Sequence, residues 1–530
     1  MAETKHRRNE TKQSETQHGE VQREIIDFLS TGKAYGDDTA EIRRIETHCS
    51  VIFLTKDRAF KLKQAVKFSY LDYTDIADRE KFTRAELSLN RRTAPEIYLA
   101  IHKVLRGGDG SLQLAAENAE GDALDWVLEM RRFGDDSLLA SLADANRLTP
   151  VLMLDLADAI HRFHDKAERM PQHGNAHVIA HVLDDCVDNL QQHVPPLDRS
   201  GAEEVALQLR AKFGAVSPLI EQRREAGMVR RCHGDLHLGN ICLLDGRPTL
   251  FDCIEFSDDI SCIDVFYDLA FVLMDLCHRD DRHRALANVL LNRYLDRSGD
   301  ITGLAALPFF LSLRAAIRSH ILAGGSKNQS DPAIGDKKRK EAIAYLDTAR
   351  GLLRPGTPRL IAVAGLSGSG KSSLARELAP AFLPAPGARV IRSDTLRKRL
   401  QNVPPEMRLD PPAYSQQASD RVYEAMLQEA ATALDAGYTV ILDATYLRQR
   451  ERLAAEELAR NLNLRFDGFW LDVSREKLTA RLDARRHDAS DADRTVLAQQ
   501  LTYDLGDVTW HRIDAGGALE SSLHLVRLQL

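Results

Sequence analysis

The chain has 530 residues, 44% of them hydrophobic, with a formal net charge of −7 and a pI near 6.2. That length exceeds one compact core and suits two or three domains, while the acidic balance argues against a dedicated nucleic-acid binder. No apolar run reaches spanning length and residues 1–20 are polar and charged, so neither a transmembrane helix nor a signal peptide is expected, and a cytoplasmic location follows.

Residues 1–20 carry no apolar periodicity and read as a tail; order is expected from Val21, where Ile25, Ile26 and Leu29 share a helical face. Two β-type runs, 51–54 and 59–63, flank Thr55-Lys56-Asp57-Arg58 and predict a hairpin. A helix from Asp78 to Arg92 follows, ending before Pro95. In a kinase-like small lobe, a lysine on such a strand pairs with a glutamate from the next helix and holds the α- and β-phosphates. Lys61 with Glu86 fits that role, and Lys63, on the same face of the strand, remains an open competitor. No glycine-rich loop precedes this strand. Thr47-His48-Cys49-Ser50 stands in its place, where only Ser50 and backbone amides suit a phosphate. The buried-type strand Asp125 to Phe133 runs into charge, as a hinge between lobes requires, and puts adenine-binding backbone groups near Glu129 and Met130.

Helical stretches from Val151 to Lys166 and from Gly201 to Phe213 lead to Cys232-His233-Gly234-Asp235-Leu236-His237-Leu238-Gly239-Asn240, then Leu250-Phe251-Asp252. The spacing His-x-Asp-x-x-x-x-Asn with a later apolar-Asp pair is that of a phosphoryl-transfer catalytic loop. Asp235 would accept the proton of a substrate hydroxyl, while Asn240 and Asp252 hold the metal. A polar turn between strands would not explain the hairpin-length run Ile241-Cys242-Leu243-Leu244 between the two metal candidates. Asp268 sits at an expected helix start, as a cap or as a brace for the catalytic loop. Arg314, Arg318 and His320 lie on one helix that either lines a cleft for an anion or presents a solvated face. Of seven cysteines, five fall between Cys232 and Cys277 and none forms a Cys-x-x-Cys pair, which favours buried reduced thiols over zinc ligands.

The polar stretch 326–340 and the Pro/Gly break at 354–358 place a boundary near 351–358, dividing 21–350 from 359–530. Beyond it, apolar runs at 388–391, 439–442, 469–473 and 508–513 join the strand before Gly365 to give five strands separated by helices, the pattern of a doubly wound parallel sheet. Residues 359–373, RLIAVAGLSGSGKSS, form a phosphate-binding loop between strand and helix. Gly365, Ser367, Gly368, Ser369, Gly370 and Ser373 shape a cradle of backbone amides, Lys371 supplies charge to the β- and γ-phosphates, and the Ser372 hydroxyl can hold Mg²⁺. Asp394, at a strand's carboxyl end, can deprotonate an acceptor hydroxyl; Arg397, one helical turn on, can hold an anionic acceptor or the transferring phosphoryl group. Asp443 ends a buried strand and suits orientation of Mg²⁺ through water. Arg481, Arg485 and Arg486 precede the polar segment 488–491, as in a lid that closes cations over phosphates.

These motifs resemble a bacterial two-domain arrangement, an aminoglycoside-phosphotransferase-like domain fused to an AAA-type P-loop kinase domain. The resemblance runs from about Val21 onward. It rests on Thr47-His48-x-Ser50, Lys61-Leu62-Lys63, Met130-Arg131-Arg132-Phe133, the 233–240 loop and Asp252 in the first half. In the second half it rests on the 365–372 loop, Ser393-Asp394-x-x-Arg397 and Leu442-Asp443-Ala444-Thr445. It implies an α/β and α+β chain, with an N-terminal bilobal protein-kinase-like fold and a C-terminal doubly wound P-loop kinase fold. The expected activity is ATP- and Mg²⁺-dependent transfer of the γ-phosphoryl group to hydroxyls of small metabolites at two sites. Polynucleotide 5′-kinase activity in the second half and an ATP-switched, non-catalytic binding role are the alternatives; no aromatic-basic groove supports the first of these.

Overall fold

The computed structural model describes residues 20–68, 71–327, 329, 331–484 and 490–530. The expected tail up to residue 19 and the lid residues Arg485 and Arg486 lie outside them. Among the described residues no helix is long and apolar enough to cross a membrane. The chain divides into two compact units, one of residues up to 147, 163–173 and 229–263, the other of 148–162, 174–228 and 264–530.

The first unit is built on a six-stranded antiparallel sheet. Its strands run in the spatial order Arg43–Glu46, Ser50–Leu54, Arg58–Lys63, Asp125–Arg131, Tyr98–Arg106 and Leu112–Ala116. The expected hairpin is present, with Leu54 opposite Ala59 and Ser50 opposite Lys63. Alternation sends Phe60 and Leu62 into an apolar cluster with Ile25, Leu29 and Phe53, and leaves Lys61 and Lys63 together on the other face. The helix Ile76–Asn90 starts two residues earlier than its apolar pattern suggests, because the Asp75 carboxylate accepts from Ala77 N and sets the N-terminus.

In the second unit the helix expected at 201–213 extends as Arg199–Glu225 straight through Pro218. The proline cannot donate to the carbonyl of Gly214, and the Ser217 hydroxyl donates to that oxygen instead. Val216 and Ile220 continue the buried face, so packing outweighs the lost backbone bond. The helix Val265–Arg279 is capped by Asp264, whose carboxylate accepts from Phe266 N, so the cap expected of Asp268 belongs four residues earlier. Asp268 itself is buried in the first turn. Arg314 neither lines a cleft nor meets solvent: it is 7% exposed, with its guanidinium 3.9 Å from the centre of the Tyr267 ring and 4.8 Å from that of Phe271.

Five parallel strands follow in the order Arg389–Arg392, Val440–Asp443, Arg359–Ala364, Arg465–Asp472 and His511–Asp514. The phosphate-loop strand is central, with Ile361 and Val363 packed against Leu374, Ile441, Phe469 and Ile513. Central placement fixes the loop that leaves its carboxyl end; the neighbouring strand Val440–Asp443 delivers Asp443, and the edge strand Arg389–Arg392 beyond it delivers the 393–397 helical turn, to the same end of the sheet.

Candidate active sites

In the first unit, the hairpin strand and the helix Ile76–Asn90 bring both lysines to one carboxylate. Lys61 Nζ lies 2.7 Å from Glu86 Oε1 and 2.8 Å from Asp252 Oδ1. Lys63 Nζ lies 2.6 Å from Glu86 Oε2 and also bonds Glu255 and the Tyr73 hydroxyl. Burial works against charge on Lys61, but Asp252, Glu86 and Glu255 outweigh it and hold its pKa well above the ordinary lysine range. Glu86 is 1% exposed; burial pushes its carboxyl up, and Lys61 and Lys63 more than reverse this, leaving it at about 2. The two lysines thus differ in partner. Lys61 touches the Asp252 carboxylate, which is 44% exposed, whereas Lys63 is turned to the buried Glu255.

Asp252 adopts a left-handed backbone, φ 62°, rare for a residue with a side chain. Its N–H donates to the Tyr98 hydroxyl at 2.9 Å, and the next amide, of Cys253, donates to Asn90 Oδ1 at 2.9 Å. These bonds aim the carboxylate at Lys61. Within the 233–240 loop the Asn240 amide donates to Asp235 Oδ2 at 2.8 Å and to Asp235 O at 3.0 Å. His237 Nε2 is 3.5 Å from the same Asp235 oxygen, and His233 Nε2 is 2.9 Å from Phe251 O, tying the loop to the segment between strand Arg247–Leu250 and Asp252. Gly234, φ 83°, has no room for a side chain, since a Cβ would stand 3.0 Å from Ile254 and 3.1 Å from Ile260 O.

Three expectations for this unit need correction. Ser50 is 1% exposed, and its N–H is engaged by Thr47 Oγ1 at 3.0 Å, so it closes the 46–50 turn and presents no amide to a phosphate. Glu129 and Met130 lie inside the sheet, paired with Phe60 and Ala59 on one side and with Ala100 and Tyr98 on the other. A base cannot add to a strand paired on both edges. The Glu129 carboxylate is likewise committed, to Arg58 at 3.0 Å and His102 at 2.7 Å.

In the second unit the loop after Arg359–Ala364 turns through three positive φ angles, at Gly365 (138°), Gly368 (87°) and Gly370 (96°). A Cβ on Gly365 would come within 2.9 Å of Leu471 O and of Ser369 Oγ. Gly370 caps the helix Lys371–Leu378, and Lys371 Nζ reaches back to Leu366 O at 3.0 Å. The Ser372 hydroxyl donates to Asp443 Oδ2 at 2.5 Å, and Arg392 Nε is 3.4 Å from the same oxygen. A hydroxyl and a carboxylate in direct contact beside the loop form an oxygen donor pair suited to Mg²⁺. Gln500 is a feature the sequence did not signal: its amide accepts from Ser367 N and donates to Ser367 Oγ, both at 2.9 Å, so the Ser367 N–H faces Gln500.

A cavity of about 1000 Å³ opens beside the loop, lined among others by Lys371, Ser372, Arg392, Asp394, Arg397 and Asp443. Asp394 occupies the first turn of Ser393–Leu400 and makes no cap bond there. Arg397 is 7% exposed and donates to Ala413 O at 2.7 Å and to Ser419 Oγ at 3.4 Å, with its guanidinium 4.9 Å from the Tyr414 ring centre. Its Nε has no hydrogen-bond partner, and among the described residues no carboxylate pairs with it. Arg481 is not in this cavity. It is fixed to the carbonyls of Ala515 (2.9 Å), Gly517 (3.3 Å) and Ser369 (3.4 Å), and with Gly370 and Ser373 it lines a smaller cavity of about 210 Å³. The expected lid cation is therefore part of a fixed wall.

The model of the phosphotransferase enzyme family matches residues 42–307, half of the chain, and an AAA domain model matches residues 360–503. An uncharacterized protein of Mycobacterium tuberculosis is 29% identical over 493 residues, covering 90% of this chain and 93% of its own, and an uncharacterized protein of Mycobacterium bovis matches to the same extent. Among solved structures, an aminoglycoside 2′-phosphotransferase-IIIa mutant in complex with GDP is 13% identical (TM-score 0.39) and covers 62% of this chain and 96% of its own. A gluconokinase from Sinorhizobium meliloti is 22% identical (TM-score 0.25) and covers 33% of this chain and 94% of its own.

Proposed function

The chain belongs to the phosphotransferase enzyme family, and from that premise we propose that it is a cytoplasmic, Mg²⁺-ATP-dependent phosphotransferase with two kinase-like sites acting on hydroxyls of small metabolites. The observation that carries this reading is the 1000 Å³ cavity, which sets a carboxylate without a cap role, Asp394, and a buried arginine with no carboxylate partner among the described residues, Arg397, beside a phosphate loop. Burying an unpaired cation is costly, so Arg397 is best explained by an anion it receives, from the acceptor or from the phosphoryl group in transit. ATP supplies the phosphoryl group, and Mg²⁺ supplies charge neutralisation on its oxygens.

At the second site Lys371 and the loop amides would hold the phosphates of ATP, and Ser372 with Asp443 would hold Mg²⁺. The larger cavity would receive the acceptor. Asp394 takes the proton of the acceptor hydroxyl as its oxygen bonds to phosphorus and the bond to the leaving diphosphate breaks. At the first site Asp235 would take the acceptor proton, and Asn240 and Asp252 would hold the metal. Lys61, held by Glu86, serves the phosphates, and Lys63 braces Glu86 from behind. In sequence terms the two modules are 21–350 and 359–530, joined by 351–358. The test is a screen of hydroxyl metabolites with γ-labelled ATP, comparing the wild type with Asp235→Asn and Asp394→Asn. Each variant should lose label on one set of acceptors. Labelling of 5′-hydroxyl oligonucleotides in place of metabolites would overturn the substrate class.

A further inference from the structure

Strand Arg389–Arg392 is the outermost of the five parallel strands, paired only with Val440–Asp443. Arg389 N donates inward to Thr439 O at 3.0 Å, so by alternation Val390 N and Ala388 O face the open edge. Both are taken by one side chain. Asn292 Oδ1 accepts from Val390 N at 2.8 Å and Asn292 Nδ2 donates to Ala388 O at 3.1 Å, so its amide plays the part of a neighbouring strand's N–H and C=O. The surrounding bonds are built to the same end. Asn288, 2% exposed, donates to Ala388 O at 3.0 Å. Arg389, also 2% exposed, lies 2.7 Å from Asp296 and bonds Asn292 O and Oδ1 at 3.2 and 3.1 Å. Arg399, near the end of the Ser393–Leu400 helix that carries Asp394 and Arg397, donates to Leu295 O at 3.0 Å. All these partners lie on one helix, Asp281–Ser298, which precedes the phosphate loop by more than sixty residues and falls within the phosphotransferase family match.

We propose that Asn292 is a positioning residue of the second site. The helix Asp281–Ser298 completes the edge of the second sheet, and by fixing strand 389–392 it fixes the turn from which Asp394 and Arg397 enter the acceptor cavity. The central strand and its phosphate loop take no part in these bonds, so they govern the acceptor side and spare the nucleotide side. One consequence is that the second module is not separable at 351–358. A cut there removes the edge cover and leaves Val390 N and Ala388 O exposed. The proposal rests on the functional reading given above for what Asp394 does, but its structural half stands apart.

The experiment uses the full-length chain carrying Asp235→Asn, which silences the first site, with Asn292→Ala and Asn292→Leu added separately. Hydrogen exchange at Val390 and ATP turnover with a fluorescent Mg²⁺-ATP analogue in competition are read together. The proposal expects Val390 exchange at least tenfold faster in both variants, a kcat at least tenfold lower, and a KM for ATP and an analogue affinity within twofold of the parent. Unchanged Val390 exchange overturns the edge assignment, whatever the turnover. Faster exchange with unchanged kcat, or a KM rising in step with the loss of kcat, overturns the positioning role. A parent chain that turns over no ATP overturns the functional reading, and the exchange arm then decides the edge assignment alone.

Discussion

In the first site Lys61 and Lys63 face three carboxylates, those of Glu86, Asp252 and Glu255, at 2.5 to 2.8 Å. In the second, Arg397 is buried beside a phosphate loop with no carboxylate partner among the described residues. The first cluster satisfies its own cations and carries one negative charge in excess, so a polyanion can enter only with a metal that offsets the carboxylates. The second lines its cavity with as many cations as carboxylates and sets Lys371 and the helix Lys371–Leu378 at the phosphate loop, so an anion there meets no excess of negative charge and depends less on a metal. Two candidate sites proposed for the same reaction differ in what they would require of the solution around them.

The largest effects expected of single substitutions fall on the two carboxylates. Asp394→Asn and Asp235→Asn should each cut transfer at their own site by about 10²- to 10⁴-fold, the worth of a positioned general base, with nucleotide affinity kept. Single-turnover assays decide it, and wild-type transfer by either variant would reduce its carboxylate to a bystander.

Chelating Mg²⁺ sharpens the electrostatic contrast. In a Lys371→Ala chain, which leaves the first site, binding of an ATP analogue should vanish with chelator. In a Lys61→Ala chain, which leaves the second, it should weaken by about tenfold and persist, as an amide cradle and lysine imply. Equal dependence at both sites would erase the distinction drawn from the charge arrangement.

Arg397→Met separates function from stability. Met removes the buried charge but also the hydrogen bonds to Ala413 O and Ser419 Oγ, about 0.5–1.5 kcal/mol each for the fold, whereas losing a charged hydrogen bond costs about 1.5–3 kcal/mol of acceptor binding. A raised acceptor KM with only a small fall in Tm is the expected pair of results, and a large fall in Tm with an unchanged KM would mean that Arg397 serves the fold.

The smallest effect concerns acid stability of the first unit. Glu86 is held at about 2, below its ordinary value of 4.5, so its stabilising charge is present above about pH 4.5 and is lost as pH falls toward 2. Glu86→Gln should flatten the loss of stability across that window in acid denaturation followed by tryptophan fluorescence. An unaltered slope would place the acid sensitivity elsewhere.

What the sequence made legible was short-range. The phosphate loop, the catalytic loop and the five parallel strands lie in contiguous letters whose spacing dictates backbone form. Lys63 followed from strand alternation, but its turn toward Glu255 depended on a carboxylate brought from 192 residues away, and nothing local announced it. Gln500 on Ser367 and Asn292 on the sheet edge were hidden for the same reason: amide side chains pair with backbone across 133 and 98 residues. The hinge at Glu129 and Met130 failed because an apolar run ending in charge looks alike whether a strand ends there or continues between two partners.

The most direct test of the proposal that the chain has two nucleotide sites is calorimetric titration of the full-length protein with a non-hydrolysable ATP analogue in saturating Mg²⁺. Wild type, Lys61→Ala and Lys371→Ala are compared. The account predicts two equivalents bound by the wild type and one by each variant, the sites lost being different. A wild type that binds one equivalent, abolished by Lys371→Ala and untouched by Lys61→Ala, would contradict it and make the first unit a domain that keeps kinase geometry without its nucleotide.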